Sequence, residues 1–327
     1  MKRIVIHIGP HKTASTFLQS NMKGNSSFLT SQGVCYPTEM FYKGGHHMLP
    51  PAIRKNSSSD FEGLLNEIDN FEKIVFSSET FSRMSVNNIK RLSELFTGYD
   101  VQILFFYRSL YDVLPSQWQE RIKQGFSTTW PEYFLFASGN LPLKGLTFPL
   151  PDRILRNWSE VFGFERLNIF SYATLKADPK NALKPICDLL DLDIDGFTMQ
   201  ERGRNESYLP ERIEAIRSLN LSSIKRGMPI DGKVRRAYMK RVKQIEKSDV
   251  YDGFLEHFKR YSMVSTLGND NPYMKLVHGN VMRTYGDRFM SEIPELAAKT
   301  AHKRAIFLDP SYPIPKQIIE ALEQVIS

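Results

Sequence analysis

The feature that most limits what this chain can become is an alternation running through residues 3–190: a short β-branched or aromatic run, then a stretch with helical spacing. The runs are residues 3–8 (Arg-Ile-Val-Ile-His-Ile), Lys73 to Ser77, Asp100 to Tyr107 and Leu167 to Tyr172. They are short and apolar with little regard to period, which predicts strands buried on both faces. Between them apolar residues recur at helical spacing, as with Ile89, Leu92, Leu95 and Phe96 in a helix expected over 86–96. Further helices are expected near 16–22, 48–53, 61–68, 110–124, 153–161 and 181–190. The rest of 31–59, rich in Gly, Pro and Ser, reads as loop. Strands separated by helices pair in parallel through crossovers. The expected fold class is therefore α/β, a parallel sheet flanked by helices. Ligands of such sheets sit beyond the carboxyl ends of the strands.

Past residue 205 the strand signals fade, and helices are expected over 209–220, 233–247, 250–262, 273–287 and 316–326. The expected organisation is an α/β domain over 1–204 and a helical extension over 205–327 packed on it. With 327 residues, 41% of them hydrophobic, the chain can bury a sizeable core. It has no apolar run of the length a membrane crossing needs. The apolar stretch after Met1 is short for a signal peptide and leads at once into a loop, so a cytoplasmic protein is expected. Cys35 and Cys187 form no metal or redox motif and read as small buried hydrophobes. The net charge of +7 suits an anionic partner. Much of it lies in 225–247, with Lys225, Arg226, Lys233, Arg235, Arg236, Lys240, Arg241, Lys243 and Lys247. That segment reads either as a solvated helix face or as a wall that attracts a polyanionic acceptor. Aromatic residues are not interleaved there as single-stranded nucleic acid would require, so no nucleic-acid partner is expected.

The chemistry begins at Gly9-Pro10-His11-Lys12-Thr13-Ala14-Ser15-Thr16, which follows a strand and opens a helix. Backbone N–H groups of such a turn can cradle an anion, and the helix dipole favours negative charge there. Lys12 adds a full positive charge; Thr13, Ser15 and Thr16 add hydroxyls. An ordinary capped helix would leave that concentration of donors unexplained. The interval from Gly9 to Lys12 is too short for the nucleotide-triphosphate loop Gly-x-x-x-x-Gly-Lys-[Ser/Thr].

The segment resembles the 5′-phosphosulfate loop of the sulfotransferases that use 3′-phosphoadenosine 5′-phosphosulfate (PAPS), written x-x-x-Lys-Thr-Gly-Thr-Thr. Ala14 stands at the glycine and Ser15 at one threonine. Tyr107-Arg108-Ser109-Leu110-Tyr111-Asp112-Val113-Leu114-Pro115-Ser116 is similar to that family's 3′-phosphate motif. Phe170-Ser171-Tyr172-Ala173-Thr174-Leu175-Lys176-Ala177-Asp178-Pro179 is similar to its Tyr-Glu-Asp-Leu-Lys-x-Asp-Pro segment, departing from it at Ala173 and Thr174. Asn205-Glu206-Ser207 is faintly like a segment that precedes the tail. The resemblance spans roughly residues 4–190 and points to bacterial, carbohydrate-sulfotransferase-like members. It implies a fold related to the nucleotide-triphosphate-loop proteins, with Pro10, His11, Lys12, Thr13, Ala14, Ser15 and Thr16 around the phosphosulfate. It implies Arg108 and Ser116 on the 3′-phosphate and Tyr172 beside the adenine, with 3′-phosphoadenosine 5′-phosphate as product.

Sulfuryl transfer asks for in-line positioning and for cationic charge at the leaving oxygen. Lys12 suits the second task. An acceptor hydroxyl also needs a base, and Glu79 follows the second expected strand at the same edge as the loop. His11 within the loop, and His46 and His47 in a segment that could contact the acceptor, are rivals for that role. No carboxylate cluster calls for a metal. The expected acceptor is a carbohydrate or glycoconjugate. A lipid or phenol would instead want an apolar cleft, which Phe126, Trp130, Tyr133, Phe134, Phe136 and Phe148 could line. Two other readings stay open: a nucleotide kinase or NTPase of related fold, and a non-catalytic polyanion-binding protein.

Overall fold

Five strands, β1 (Arg3–His7), β2 (Val34–Cys35), β3 (Lys73–Ser77), β4 (Asp100–Tyr107) and β5 (Leu167–Ser171), form one all-parallel sheet in the order β2-β3-β1-β4-β5. They are seen in a computed structural model that describes residues 1–55, 61–139, 150–200, 208–265, 271–292 and 305–326. β1 lies at the centre, with Ile6 level with Phe76 on β3 and with Ile103 on β4. Successive strand side chains point to opposite faces, so one strand feeds two cores. Ile4, Ile6, Ile74, Phe76, Ile103, Phe105 and Ile169 join one of them, with side chains from the helices Leu49–Lys55, Glu62–Asp69, Val86–Leu95 and Pro151–Phe162. Val5, Val75, Leu104, Phe106 and Phe170 join the other, beneath the helices Ser15–Gly24 and Lys184–Leu190. Burial on both faces explains why these runs look continuously apolar rather than alternating. The expected class, a parallel sheet flanked by helices, is the fold observed.

β2 departs from expectation. It falls in the segment read as loop, and its partner is β3. Two residues are too few for a period-2 signal; the pairing comes from the sheet edge already present. The chain after β2 meets the end of β3 again where His46 N donates to Ser77 O (2.8 Å).

The residues group into two compact units interleaved along the chain. The first comprises Met1–Ser109, Pro149–Arg204 and Met274–Ala298. The second comprises Leu110–Phe148, Asn205–Tyr273 and Lys299–Ser327. In the first, Val281 and Tyr285 of the helix Pro272–Tyr285 join the core on one sheet face. The segment after that helix runs along β5: Arg288 Nε donates to Leu167 O (2.8 Å), Met290 N to Ile169 O (2.8 Å), and Ser171 N to Ser291 Oγ (2.9 Å).

The second unit is largely helical. Pro210–Lys225 buries its Glu214 and Arg217 as an ion pair (2.7 Å), and Asn220 Nδ2 bonds the carbonyls of Ile122 and Phe126 (2.8 and 2.9 Å). Those two bonds tie down the end of the helix Leu110–Lys123. Two details correct the sequence reading. An antiparallel pair, β6 (Ser262–Val264) with β7 (Ile306–Leu308), lies where no strand is expected. Three residues give no usable period, and the partner is far off in sequence. The helix expected over 233–247 is two, Lys233–Lys240 and Val242–Ile245, broken at Arg241. Among the described residues no helix is long and apolar enough to cross a membrane.

Candidate active site

The carboxyl ends of β1, β3, β4 and β5 lie at one edge of the sheet because the strands are parallel, and each is followed by residues singled out above. After β1 the backbone enters the left-handed region at Gly9 (φ 79°), Lys12 (φ 70°) and Ala14 (φ 67°). Such reversals turn successive N–H groups toward a common side, the geometry of an anion-binding turn. Thr13 is buried and donates to Pro10 O (2.6 Å), so its hydroxyl folds the loop rather than facing outward. Ser15 Oγ reaches the same carbonyl at 3.4 Å. The helix Ser15–Gly24 then starts from Ala14 with no side-chain cap, and Thr16 on its first turn is exposed. Gly9 is required by contact as well as by φ: a Cβ there would stand 2.9 Å from the Cα of Glu79. The β1 loop and the β3 end touch, backbone against backbone.

Arg108 follows β4 and is buried. One of its guanidinium nitrogens donates to the Lys12 carbonyl, and the guanidinium carbon sits 4.4 Å from the centroid of the Tyr172 ring. A single side chain therefore links the loop after β1 to the residue after β5. Pro10 and His11 complete the loop. Burial lowers the His11 pKa; Glu79 opposes that shift, and the neighbouring Arg83, Lys12 and His47 add to it.

Glu79 heads a short 3-10 turn, Glu79–Arg83, capped by Ser78. Gln19 Nε2 donates to its Oε2 (3.3 Å), and His47 Nε2 lies 3.7 Å from the same oxygen. His47 Nδ1 pairs with Ser78 Oγ (2.7 Å), which also meets Thr80 Oγ1 (2.6 Å). The imidazole is thus held between a hydroxyl and a carboxylate. Behind them His7, fully buried, pairs through Nδ1 with Ser77 Oγ (2.8 Å), to which Gln19 Nε2 also donates (3.3 Å). Burial pushes the His7 pKa down to about 4 against a smaller pull from Glu79. The ring is therefore neutral near pH 7.

The structure separates two neighbouring histidines that the sequence treats alike. His46 is 0% exposed. Its Nε2 meets Pro37 O (2.9 Å) and its Nδ1 accepts from Ser77 N (3.0 Å). Burial lowers its pKa to about 4, and the backbone bonds only partly oppose this. Both nitrogens of His46, expected to contact an acceptor, are spent on backbone in this structure, and the ring anchors its loop to β3. Only His47 of the pair stands against Glu79. Ser116 belongs to the second unit, half-buried on the helix Leu110–Lys123, and donates to Asp112 O (2.9 Å). Trp130, Tyr133 and Phe136 are buried and pack against one another and Trp118, so they fill the second unit's interior rather than line an open cleft. Phe148 and Asn205-Glu206-Ser207 lie outside the described residues. Gln19, His7, Ser77 and Ser78 were not anticipated. For Gln19 a signal existed: it lies four residues after Ser15 and three before Met22, on the helix face that is buried.

No protein-family profile matches this chain, and no curated protein does. Among solved structures it is similar to a sulfotransferase from Alicyclobacillus acidocaldarius, at 14% identity over 72% of this chain and 99% of that one, with a TM-score of 0.43. It is also similar to a sulfotransferase domain from the curacin biosynthetic pathway, at 15% identity over 59% of this chain and 75% of that one, with a TM-score of 0.34.

Chemically, the edge offers two kinds of group. On the β1 and β4 side stand cations and turned backbone amides, suited to anionic oxygen. On the β3 side stand a carboxylate and an imidazole in contact, suited to taking a proton. Among the described residues no group of His, Cys, Asp and Glu is placed to hold a metal ion.

Proposed function

We propose that this protein is a PAPS-dependent sulfotransferase that moves a sulfuryl group to a hydroxyl, or an amine, of a carbohydrate or glycoconjugate. The observation that carries the reading is the Arg108 clamp. It draws together the loop with Lys12, the end of β4 and Tyr172, the three places where the chain resembles that family's nucleotide-binding segments. The donor set fits an adenine nucleotide phosphorylated at both ends. Lys12 and the backbone N–H groups of the stretch from His11 to Ala14, left-handed at Lys12 and Ala14, suit the phosphosulfate end. Arg108 suits the 3′-phosphate, and the Tyr172 ring suits the base. Ser116 remains a proposed 3′-phosphate donor.

The nucleotide, when bound, supplies an activated sulfuryl group. The acceptor oxygen forms a bond to sulfur as the bond between sulfur and the bridging phosphate oxygen breaks. In this reading Glu79 takes the acceptor proton, with Gln19 fixing one carboxylate oxygen and His47 beside it. Lys12 balances the charge that grows on the departing phosphate oxygen. This reading also assigns His11, which burial holds below the usual imidazole range, to the transferring group.

Thermal unfolding with 3′-phosphoadenosine 5′-phosphate, ADP and ATP tests the nucleotide assignment. At about 100 times its Kd a ligand adds roughly 2.7 kcal/mol, a clear rise in Tm. The expected result is a rise with the 3′-phosphorylated nucleotide alone, diminished in Lys12→Ala. An equal rise with ATP overturns the reading in favour of a kinase or NTPase. No rise with any nucleotide favours a non-catalytic protein.

A further inference from the structure

The basic segment of the second unit is not used by the chemistry above. Its arrangement in the structure differs from a merely solvated face. The helix Pro210–Lys225 ends in a Schellman turn: Met228 N bonds Ser223 O (3.1 Å), Gly227 N bonds Ile224 O (2.9 Å), and Gly227 has φ 76°. In such turns the residue after the glycine ordinarily rests against an apolar side chain at the position that Ser223 fills here. Met228 has no such partner at that position and stands 53% exposed; Ile230 follows at 38%, with Pro229 exposed between them. The tip is thus held by backbone bonds yet presents apolar side chains to water.

Cations surround it. Lys225 and Arg226 precede it, both exposed. On the next helix the exposed residues are Lys233, Arg236 and Lys240, spaced i, i+3, i+7 opposite the fully buried Tyr238. The same spacing continues past the break at Arg241 to the exposed Lys243 and Lys247. Acidic residues in the segment are already paired: Asp231 with Lys233 (3.0 Å), which partly offsets that lysine's charge, and Glu246 with Arg212 (2.7 Å). Arg226 also meets Glu323 (2.5 Å), so its charge is partly offset.

We propose that this face docks on an anionic lipid surface, with Met228, Pro229 and Ile230 entering the interface and the stripe from Lys233 to Lys247 lying against the headgroups. A soluble polyanion would account for the stripe but not for an apolar tip ahead of it. Apolar side chains ringed by Lys and Arg are the combination by which peripheral proteins hold acidic bilayers. The inference does not depend on the transfer reaction, and its test reads binding rather than turnover.

The full chain is mixed with vesicles of phosphatidylcholine alone, and with vesicles that include phosphatidylglycerol, and then sedimented. The expected result is binding to the acidic vesicles only. Met228→Asp/Ile230→Asp should lower the partition coefficient roughly a hundredfold, because two apolar side chains are lost and two like charges are added. Lys233→Gln/Arg236→Gln/Lys240→Gln should lower it by about tenfold or more. Leu276→Asp, at an exposed apolar residue of the first unit, is the control and should bind as wild type. All of these positions are exposed, and an unchanged circular dichroism melt shows that each variant folds. The proposal falls if wild type ignores acidic vesicles. It also falls if the tip variant binds them undiminished while the lysine variant loses both vesicles and dextran sulfate, which would make the stripe a reader of soluble polyanions.

Discussion

Gly9→Ala tests whether the contact between the β1 loop and Glu79 is as close as described. Two effects act at Gly9: its φ of 79° and the 2.9 Å at which a Cβ would meet the Glu79 Cα. The left-handed conformation costs a non-glycine residue about 1–2 kcal/mol. Forcing a methyl against backbone atoms costs about 1–3 kcal/mol more, since neither partner is the loose end of a side chain. Alanine returns about 0.4–1 kcal/mol by restricting the unfolded chain. The sum is a loss of about 2–4 kcal/mol. For a domain of this size that lowers Tm by about 5–12 °C. Gly33→Ala supplies the control, because Gly33 has nearly the same φ (70°) but nothing within 4 Å of the added methyl. It should lose about 1 kcal/mol or less. Melting both variants by circular dichroism separates the two effects. Equal losses in the two variants would refute the close approach, and with it the placement of Glu79 against the loop.

Ala14→Gly should leave stability unchanged or raise it by up to about 1 kcal/mol, because Ala14 holds φ 67° where glycine is at ease; a fall of more than about 1 kcal/mol in urea unfolding would count against the loop geometry. Acid should weaken the fold well above the carboxylate range. His7 and His46 have folded pKa values of about 4 against an ordinary 6.5, so the unfolded chain binds more protons between those values. Their contribution is complete above about pH 6.5 and is lost as pH falls toward 4, at roughly 2–3 kcal/mol per pH unit for the pair. Urea midpoints at pH 7, 6 and 5 should fall steadily, and a flat series would mean that the two rings are not buried as described.

The sheet was legible because its strands are buried on both faces and therefore unbroken in their apolarity, as Ile4 to Ile6 and Ile103 to Phe106 show. The loop was legible because strand, glycine, lysine and hydroxyls occur in one contiguous stretch. What escaped reading is what depends on distant partners. β2 exists only because β3 offers it an edge, and β6 only because β7 does. The second role of Arg108, bonding the Lys12 carbonyl, joins residues 96 apart. His46 and His47 are adjacent letters with opposite surroundings, and which one faces Glu79 is decided by the turn that pins His46 to Ser77. Ala14 was legible as a departure from the resembled motif, but only the backbone angle says that the departure carries strain.

The way β5 is finished bears on how the molecule comes into being. The carbonyls of Leu167 and Ile169 receive their partners from Arg288 and Met290, and the amide of Ser171 bonds Ser291, some 120 residues downstream. A ribosome that has just released β5 has therefore produced a sheet whose outer rim is still bare, and it stays bare while more than a hundred residues are added. Open rims recruit other chains. The interval between the emergence of β5 and the arrival of the segment around Met290 is when this protein has most need of a chaperone, and a nonsense mutation anywhere within it would yield a sticky product rather than a shortened but folded one.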